Sequence, residues 1–151
     1  MIGWMDIFVR LGAAAAIGGA IGLNRELHHK PTGVRTLGLV GLGSALAVLA
    51  VADDPQADVS RVIQGVITGI GFLGAGVILH PPTGGKVHGL TTAATIWVTA
   101  SLGILCGIAA WRTVAVAMLF TVLLLTTGGP VEKWVHKRFD SDEPPTPSQP
   151  E

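Results

Sequence analysis

Long apolar stretches that contain almost no charge dominate this chain, and they constrain its fold more than any other feature. A helix that crosses the hydrocarbon core of a bilayer needs about 17–25 mostly apolar residues, at about 1.5 Å of rise each. We therefore predict an all-α membrane protein, a bundle of about five transmembrane helices. The predicted spans are Ile7–Leu23, Leu37–Ala52, Val62–Leu79, Gly89–Trp111 and Thr113–Gly129.

The composition supports a membrane protein and argues against several functions. Charged residues make up 13% of the chain, whereas a soluble domain typically carries about 25%. The formal net charge of zero gives no basic footprint for nucleic acid, so we expect no nucleic-acid partner. No arrangement of a nucleophile and a base is visible, and we predict that the chain is not an enzyme. Cys106 lies inside a predicted span and is expected to be a packing residue.

The distribution of Lys and Arg predicts the orientation, because cytoplasmic loops carry an excess of these residues. This rule places the N-terminus outside and the C-terminus in the cytoplasm, as an odd number of spans requires. We assign residues 1–139 to the transmembrane domain and predict that the acidic, proline-rich residues 140–151 are disordered. The basic residues on the predicted cytoplasmic side are Arg25, Lys30, Arg35, Lys86, Lys133, Lys137 and Arg138, against Arg10, Arg61 and Arg112 on the other side.

A stripe of hydroxyl groups runs along the fourth predicted span. At about 100° per residue, its members fall within an arc of roughly 100°. Hydroxyls need hydrogen-bond partners in lipid, so the stripe is expected to face protein or water. The alternative is that each threonine bonds the carbonyl four residues earlier in its own helix. The stripe consists of Thr91, Thr92, Thr95 and Thr99, with Cys106 on the same arc.

Glycines line two sides of the third predicted span. Gly65, Gly69 and Gly76 lie within about 40° of one another, and Gly71 and Gly74 lie nearly opposite. Two small faces predict two close helix neighbours, and hence a central position for this span. The alternative is a helix break between Gly69 and Gly76 that exposes backbone groups to an ion. The four glycines from 69 to 76, with Thr95 and Thr99, therefore mark either helix packing or an ion path.

Two charged groups fall inside the first apolar region. Asp6 and Arg10 are four residues apart, which is the spacing of an ion pair on a helix. Charge within a span is costly enough to mark a functional candidate, although Arg10 is near enough to the end to snorkel outward.

We predict no cofactor, with Mg²⁺ as the ion to consider because it needs few protein carboxylates. The five histidines match no ligand motif, so the sequence assigns no metal site.

Several polar residues share the predicted cytoplasmic ends of the spans. Arg25, Glu26 and Arg35 bracket the first loop, and Thr91 and Thr92 begin the fourth span at the same depth. A carboxylate beside two arginines would be held ionised, and the hydroxyls would complete its hydrogen bonds. We predict that these five residues form the functional polar cluster, either as a gate or as a docking surface.

Taken together, the motifs resemble the MgtC/SapB family of bacterial membrane proteins. The resemblance is carried, in order, by IGLNRE (21–26), TGVRTLGLVGLGS (32–44), DVSRVIQGVITGIGFLGAGVIL (58–79) and GLTTAATIWVTASLGILCG (89–107). It implies a bacterial inner-membrane protein associated with magnesium limitation and virulence and, in some members, with restraint of the F-type ATP synthase. The positions that match family motifs are Arg25, Glu26, Arg35, Thr36, Arg61, Gly69, Gly71, Gly74, Gly76, Gly89, Thr91, Thr92 and Trp97.

The chain departs from the family pattern in two respects. Asn24 stands where the family commonly has Glu, and the ACT-like C-terminal domain of longer members is not expected here. Two functions stay open: a regulator of other membrane machinery that supports magnesium homeostasis, stress adaptation or virulence, and an oligomeric cation channel or transporter related to Mg²⁺. Both predict a homo-oligomer, most simply a two-fold dimer.

Overall fold

Five α-helices make up most of the described chain. The computed structural model describes residues 2–54, 56–78 and 88–139, and no strand occurs in those ranges. Four helices contain a segment long and apolar enough to cross a membrane, and the 16-residue second helix is apolar but shorter. These findings confirm an all-α membrane fold. The helices are α1 (Trp4–Leu27), α2 (Val34–Leu49), α3 (Val59–Ile78), α4 (Leu90–Gly107) and α5 (Trp111–Phe139).

The chain divides by its internal contacts into two units, Met1–Met118 and Leu119–Glu151. The first contains α1 to α4 and the first turns of α5. Of the second, the structure describes only the remainder of α5. The segment 79–87, with His80 and Lys86, and the tail predicted to be disordered lie outside the described residues.

Helix α4 ends earlier than the sequence predicted. Ala109 has a φ of 57°, a left-handed conformation that stops a helix. The Ala110 amide then donates to the Leu105 carbonyl, at 2.9 Å, and closes the final turn. The predicted span to Trp111 was therefore too long, because the apolar residues after Gly107 form a turn and Trp111 already begins α5.

Close contacts among α1, α2 and α4 form the core of the first unit. A Cβ atom built on Gly41 would lie 2.6 Å from the Ala14 carbonyl oxygen, and one built on Gly22 would lie 2.7 Å from the Gly33 carbonyl oxygen. A Cβ atom built on Gly103 of α4 would likewise overlap the backbone of Gly41. A glycine at each position lets two helix backbones touch, which no other residue permits.

Helix α3 is not the central helix, and the prediction that placed it there is wrong. Gly74 is its one buried residue and contacts Ala93 of α4, whereas a Cβ atom on Gly71 would meet nothing within 4 Å. Positions 65, 69 and 76 are equally open. The helix is continuous from Val59 to Ile78, so the alternative of a break at Gly69–Gly76 is also wrong. Helix α4 has the central position, because 56% of its most apolar 18 residues are buried, against 6% of the corresponding residues of α3.

Candidate functional site

A buried arginine connects the end of α1 to the start of α4. Arg25, in the last turn of α1, is 4% exposed, and Thr92, in the first turn of α4, is 3% exposed. The Arg25 Nη2 atom donates to Thr92 Oγ1 at 2.5 Å. The Arg25 Nε atom is buried and has no hydrogen-bond partner. The structure thus brings together two residues of the predicted polar cluster that are 67 positions apart.

The other three residues of the predicted cluster are exposed. Glu26 Oε2 accepts a long hydrogen bond, at 3.4 Å, from the Val34 amide at the start of α2. Arg35 and Thr91 are exposed on α2 and α4. No hydrogen bond or ion pair in the described ranges joins Glu26, Arg35 or the Thr91 side chain to the buried pair. The predicted cluster therefore divides into a buried contact and a separate polar surface.

Two helix ends act in opposite senses on the Arg25 cation, which is favoured by its place in the last turn of α1. Its guanidinium lies at the first turn of α4, where the helix macrodipole contributes partial positive charge. Within the part of the chain that the structure describes, no carboxylate pairs with it. Retaining a buried charge under these conditions is costly, which makes Arg25 a functional candidate.

A second arginine connects the opposite ends of the same two helices. Arg10 Nη2 donates to Asp6 Oδ2 at 2.5 Å, which confirms the ion pair predicted from their spacing. Arg10 Nη1 also donates to the Gly107 carbonyl oxygen at 2.8 Å. This contact satisfies a carbonyl at the C-terminus of α4, where a cation is favoured by the macrodipole. Sequence reasoning missed Gly107, because a backbone acceptor 97 positions away leaves no local signal.

The hydroxyl stripe of α4 faces the protein, with one exception. Thr92, Thr95, Thr99 and Cys106 are buried, as predicted, whereas Thr91 is exposed. Thr95 donates to the Thr91 carbonyl at 2.6 Å, and Thr99 donates to the Thr95 carbonyl at 2.8 Å. Two hydroxyls of the stripe are therefore satisfied within their own helix, whereas the Thr92 hydroxyl accepts a hydrogen bond from Arg25 of α1.

Two acidic side chains near the α2–α3 connection accept hydrogen bonds, one from a distant backbone amide and one from a neighbouring residue. Both carboxylate oxygens of Asp53 accept from the Ile2 amide, at 2.9 and 3.2 Å. Asp58 accepts from the Ser60 amide and hydroxyl, and hydrogen bonding from Ser60 holds the pKa of the Asp58 carboxyl below its usual value. In the described ranges, no three His, Cys, Asp or Glu residues are grouped so that they would hold a metal ion.

Comparison with known proteins agrees with the motifs. The model of the MgtC family matches residues 11–134. Protein SrpB of Synechococcus elongatus is 44% identical over 136 residues, which cover 82% of this chain and 75% of that protein. Protein MgtC of Brucella abortus is 40% identical over 113 residues, which cover 74% of this chain and 47% of that protein.

The similarity extends to enteric bacteria. Protein MgtC of Salmonella typhimurium is 37% identical over 117 residues, covering 78% of this chain and 48% of that protein. The chain thus spans about half the length of the MgtC proteins that it matches. No solved structure matches. Because the family model covers most of the chain and includes the Arg25–Thr92 contact, the chain belongs to the MgtC family.

Proposed function

We propose that this protein is a small regulator that acts on other membrane machinery and supports magnesium homeostasis, stress adaptation or virulence. The observation that carries the proposal is the uncovered side of the first unit. Of the most apolar 18 residues of α3, only 6% are buried. An apolar helix that is held to its own chain along one edge leaves a lateral surface for another membrane protein. The resemblance makes the F-type ATP synthase one candidate partner.

The core geometry of the single chain supports regulation, because the described residues form no conducting path through that core. A conducting path needs polar groups or free backbone groups along the membrane normal. Thr95 and Thr99 instead bond carbonyls of their own helix, and α3 continues unbroken through its glycines. The close contact between Gly41 and Gly103 brings α2 and α4 together without space for an ion.

We assign the two parts of the predicted cluster different roles. The buried Arg25–Thr92 contact holds the end of α1 against α4 and keeps the helix ends in place. Glu26, Arg35 and Thr91 are exposed at these ends and form the surface that a partner contacts. We propose that this surface faces the cytoplasm of a bacterial inner membrane, with the N-terminus outside, because Lys and Arg are in excess on the same side. We further propose that the protein functions as a homo-oligomer, most simply a dimer.

Growth under magnesium limitation tests the proposal. We expect a deletion strain to fail, the unaltered chain to restore growth, and Glu26→Gln to lose this activity at normal abundance. Glu26 is exposed and makes one long hydrogen bond, so its replacement should not unfold the protein. Asp54→Asn is the matched control, because it removes the same charge from an exposed position in the α2–α3 connection. Normal growth with Glu26→Gln would overturn the assignment of the surface.

Ion flux distinguishes the regulator from a conductor. Purified protein in liposomes is expected to carry no Mg²⁺ flux above that of protein-free liposomes. A saturable flux that depends on the protein would overturn the regulatory proposal. Reporter fusions after Asp54 and after His136 test the orientation separately, since they should report opposite sides of the membrane.

A further inference from the structure

A groove of about 730 Å³ separates α2 from α3. The volume is within the range of about 300–1,000 Å³ that is typical of small-molecule sites. Both walls belong to the first unit of the chain. The groove exists because α2 packs closely against α1 and α4, whereas α3 packs mainly against α4.

The lining of the groove changes from polar to apolar along α2. Arg35 and Thr36 lie at the start of α2, and the walls beyond them are formed by apolar and small residues such as Leu39, Ile70 and Leu73. Leu39 is 67% exposed and Leu73 is 50% exposed. Within the described residues, these large apolar side chains therefore have one uncovered side that faces the groove or the surrounding lipid.

The length of the groove corresponds to one leaflet. The lining of α2 extends from Arg35 to Ser44, which is about 13 Å at 1.5 Å per residue. Half of a hydrocarbon core of about 30 Å is about 15 Å. A helix from a second copy would be expected to contact both halves of the membrane, whereas a lipid molecule occupies one.

The polar end of the groove carries the Arg35 guanidinium. Arg35 is exposed, and in the described ranges its guanidinium makes no hydrogen bond or ion pair. The Thr36 side chain is exposed beside it. A guanidinium binds a phosphate group through two parallel hydrogen bonds. One carboxylate lies at the same helix start, since Glu26 Oε2 is 3.4 Å from the Val34 amide, and it opposes an anion there.

We propose that the α2–α3 groove binds one anionic phospholipid, with its phosphate on Arg35 and Thr36 and an acyl chain between Leu39 and Leu73. The positive charge selects an anionic headgroup, and the apolar walls cover hydrocarbon. The lipid belongs to the leaflet that faces the start of α2. The site shares Arg35 with the surface assigned above to a partner, but its test is separate, because it measures affinity for a lipid rather than growth.

Lipid titration of the purified full chain, followed by native mass spectrometry, tests the site. The probes are phosphatidylglycerol, phosphatidylcholine with the same acyl chains, and glycerol phosphate as the headgroup alone. We expect one phosphatidylglycerol molecule to bind about tenfold more tightly than phosphatidylcholine, which corresponds to one charge-assisted contact. Glycerol phosphate should bind far more weakly than phosphatidylglycerol, because it leaves the apolar groove uncovered.

Paired variants separate the headgroup from the chain. Arg35→Gln should remove the preference for phosphatidylglycerol, and Arg35→Lys should retain part of it. Arg112→Gln is the control for net charge, since Arg112 is exposed at the start of α5 and outside the groove. Gly69→Leu should fill the groove and weaken both lipids, while Gly65→Leu, on the same helix but outside the lining, should change neither.

Three results would overturn the proposal. The first is a phosphatidylglycerol preference that survives Arg35→Gln. The second is lipid binding that is unchanged by Gly69→Leu. The third is a dimer that Gly69→Leu converts to monomer while lipid binding never saturates, because a second copy would then occupy the groove. Stronger phosphatidylglycerol binding by Glu26→Gln would support the site, since that change removes the opposing carboxylate.

Discussion

Glycine has opposite surroundings in two regions of this protein. In the packed region formed by α1, α2 and α4, Gly41 and Gly103 bring backbones into contact, and an added Cβ atom would meet carbonyl groups. In α3, Gly65, Gly69 and Gly71 have no atom within 4 Å of a Cβ position. A high density of glycines therefore does not identify a helix interface in this protein. The neighbouring helix decides which glycine is required.

The largest effect is expected when glycine is replaced by leucine in the packed region and, as a matched control, in α3. Gly103→Leu should destabilise the protein by about 3 kcal/mol or more, because a branched side chain cannot fit against the Gly41 backbone. Gly71→Leu should leave stability unchanged or slightly raised, since its Cβ position is open and leucine is the better helix former. Thermal unfolding in detergent is the measurement, with a loss of about 10 °C expected for Gly103→Leu.

Equal stability losses for the two leucine variants would show that Gly71 is as closely packed as Gly103. In that case α3 would be covered by another chain in the protein as it is purified. Measuring the oligomeric state of both variants distinguishes that outcome, because only a covered α3 would lose its partner when Gly71 is replaced.

A smaller effect is expected at the buried contact within the packed region. Thr92→Val removes the acceptor of the Arg25 Nη2 hydrogen bond and leaves a buried donor unsatisfied, which costs about 1–3 kcal/mol. Thr91→Val, one position earlier and exposed, is the matched control and should be nearly neutral. Chemical unfolding of both variants measures the difference. Identical midpoints would show that the Arg25–Thr92 contact does not stabilise the fold.

The ion pair at the other end of α1 should contribute less. The Asp6 side chain is 43% exposed and that of Arg10 is 16% exposed, so solvent screens their attraction. Asp6→Asn is expected to lower the free energy of unfolding by about 0.5–1 kcal/mol. Arg10 keeps its hydrogen bond to the Gly107 carbonyl oxygen in that variant. A loss as large as that of Thr92→Val would mean that the pair is effectively buried.

The smallest effect concerns the start of the exposed helix. Hydrogen bonds from Ser60 lower the pKa of Asp58, so its ionised form is favoured in the folded state. That stabilisation is present above the usual Asp pKa of about 3.9 and is lost as pH falls through the folded value. Hydrogen exchange of the Ser60 and Arg61 amides should be faster in Asp58→Asn than in the unaltered chain at pH 6. At a pH below the folded pKa the two proteins should become alike, and a constant difference would contradict the ionic origin.

The sequence predicted the helices better than their arrangement. The lengths of the apolar stretches predicted the number of helices, and the four-residue spacing predicted the Asp6–Arg10 ion pair. The central position of α4 was missed because α4 carries two glycines, Gly103 and Gly107, whereas α3 carries five within twelve residues. Contacts between residues 67 and 97 positions apart, at Arg25 and Arg10, depend on tertiary packing and have no periodic pattern. The separation of Glu26 and Arg35 from the buried Arg25–Thr92 contact was missed for the same reason.

The Arg10–Gly107 hydrogen bond has a consequence for biosynthesis. Arg10 is made early and its backbone acceptor follows 97 residues later, which is about 5–20 s at a synthesis rate of about 5–20 residues per second. During that interval Asp6 is the partner already available, in the same helical turn. We therefore expect Arg10 to pair with Asp6 while α1 inserts, and to bond the Gly107 carbonyl oxygen only after α4 has been synthesised.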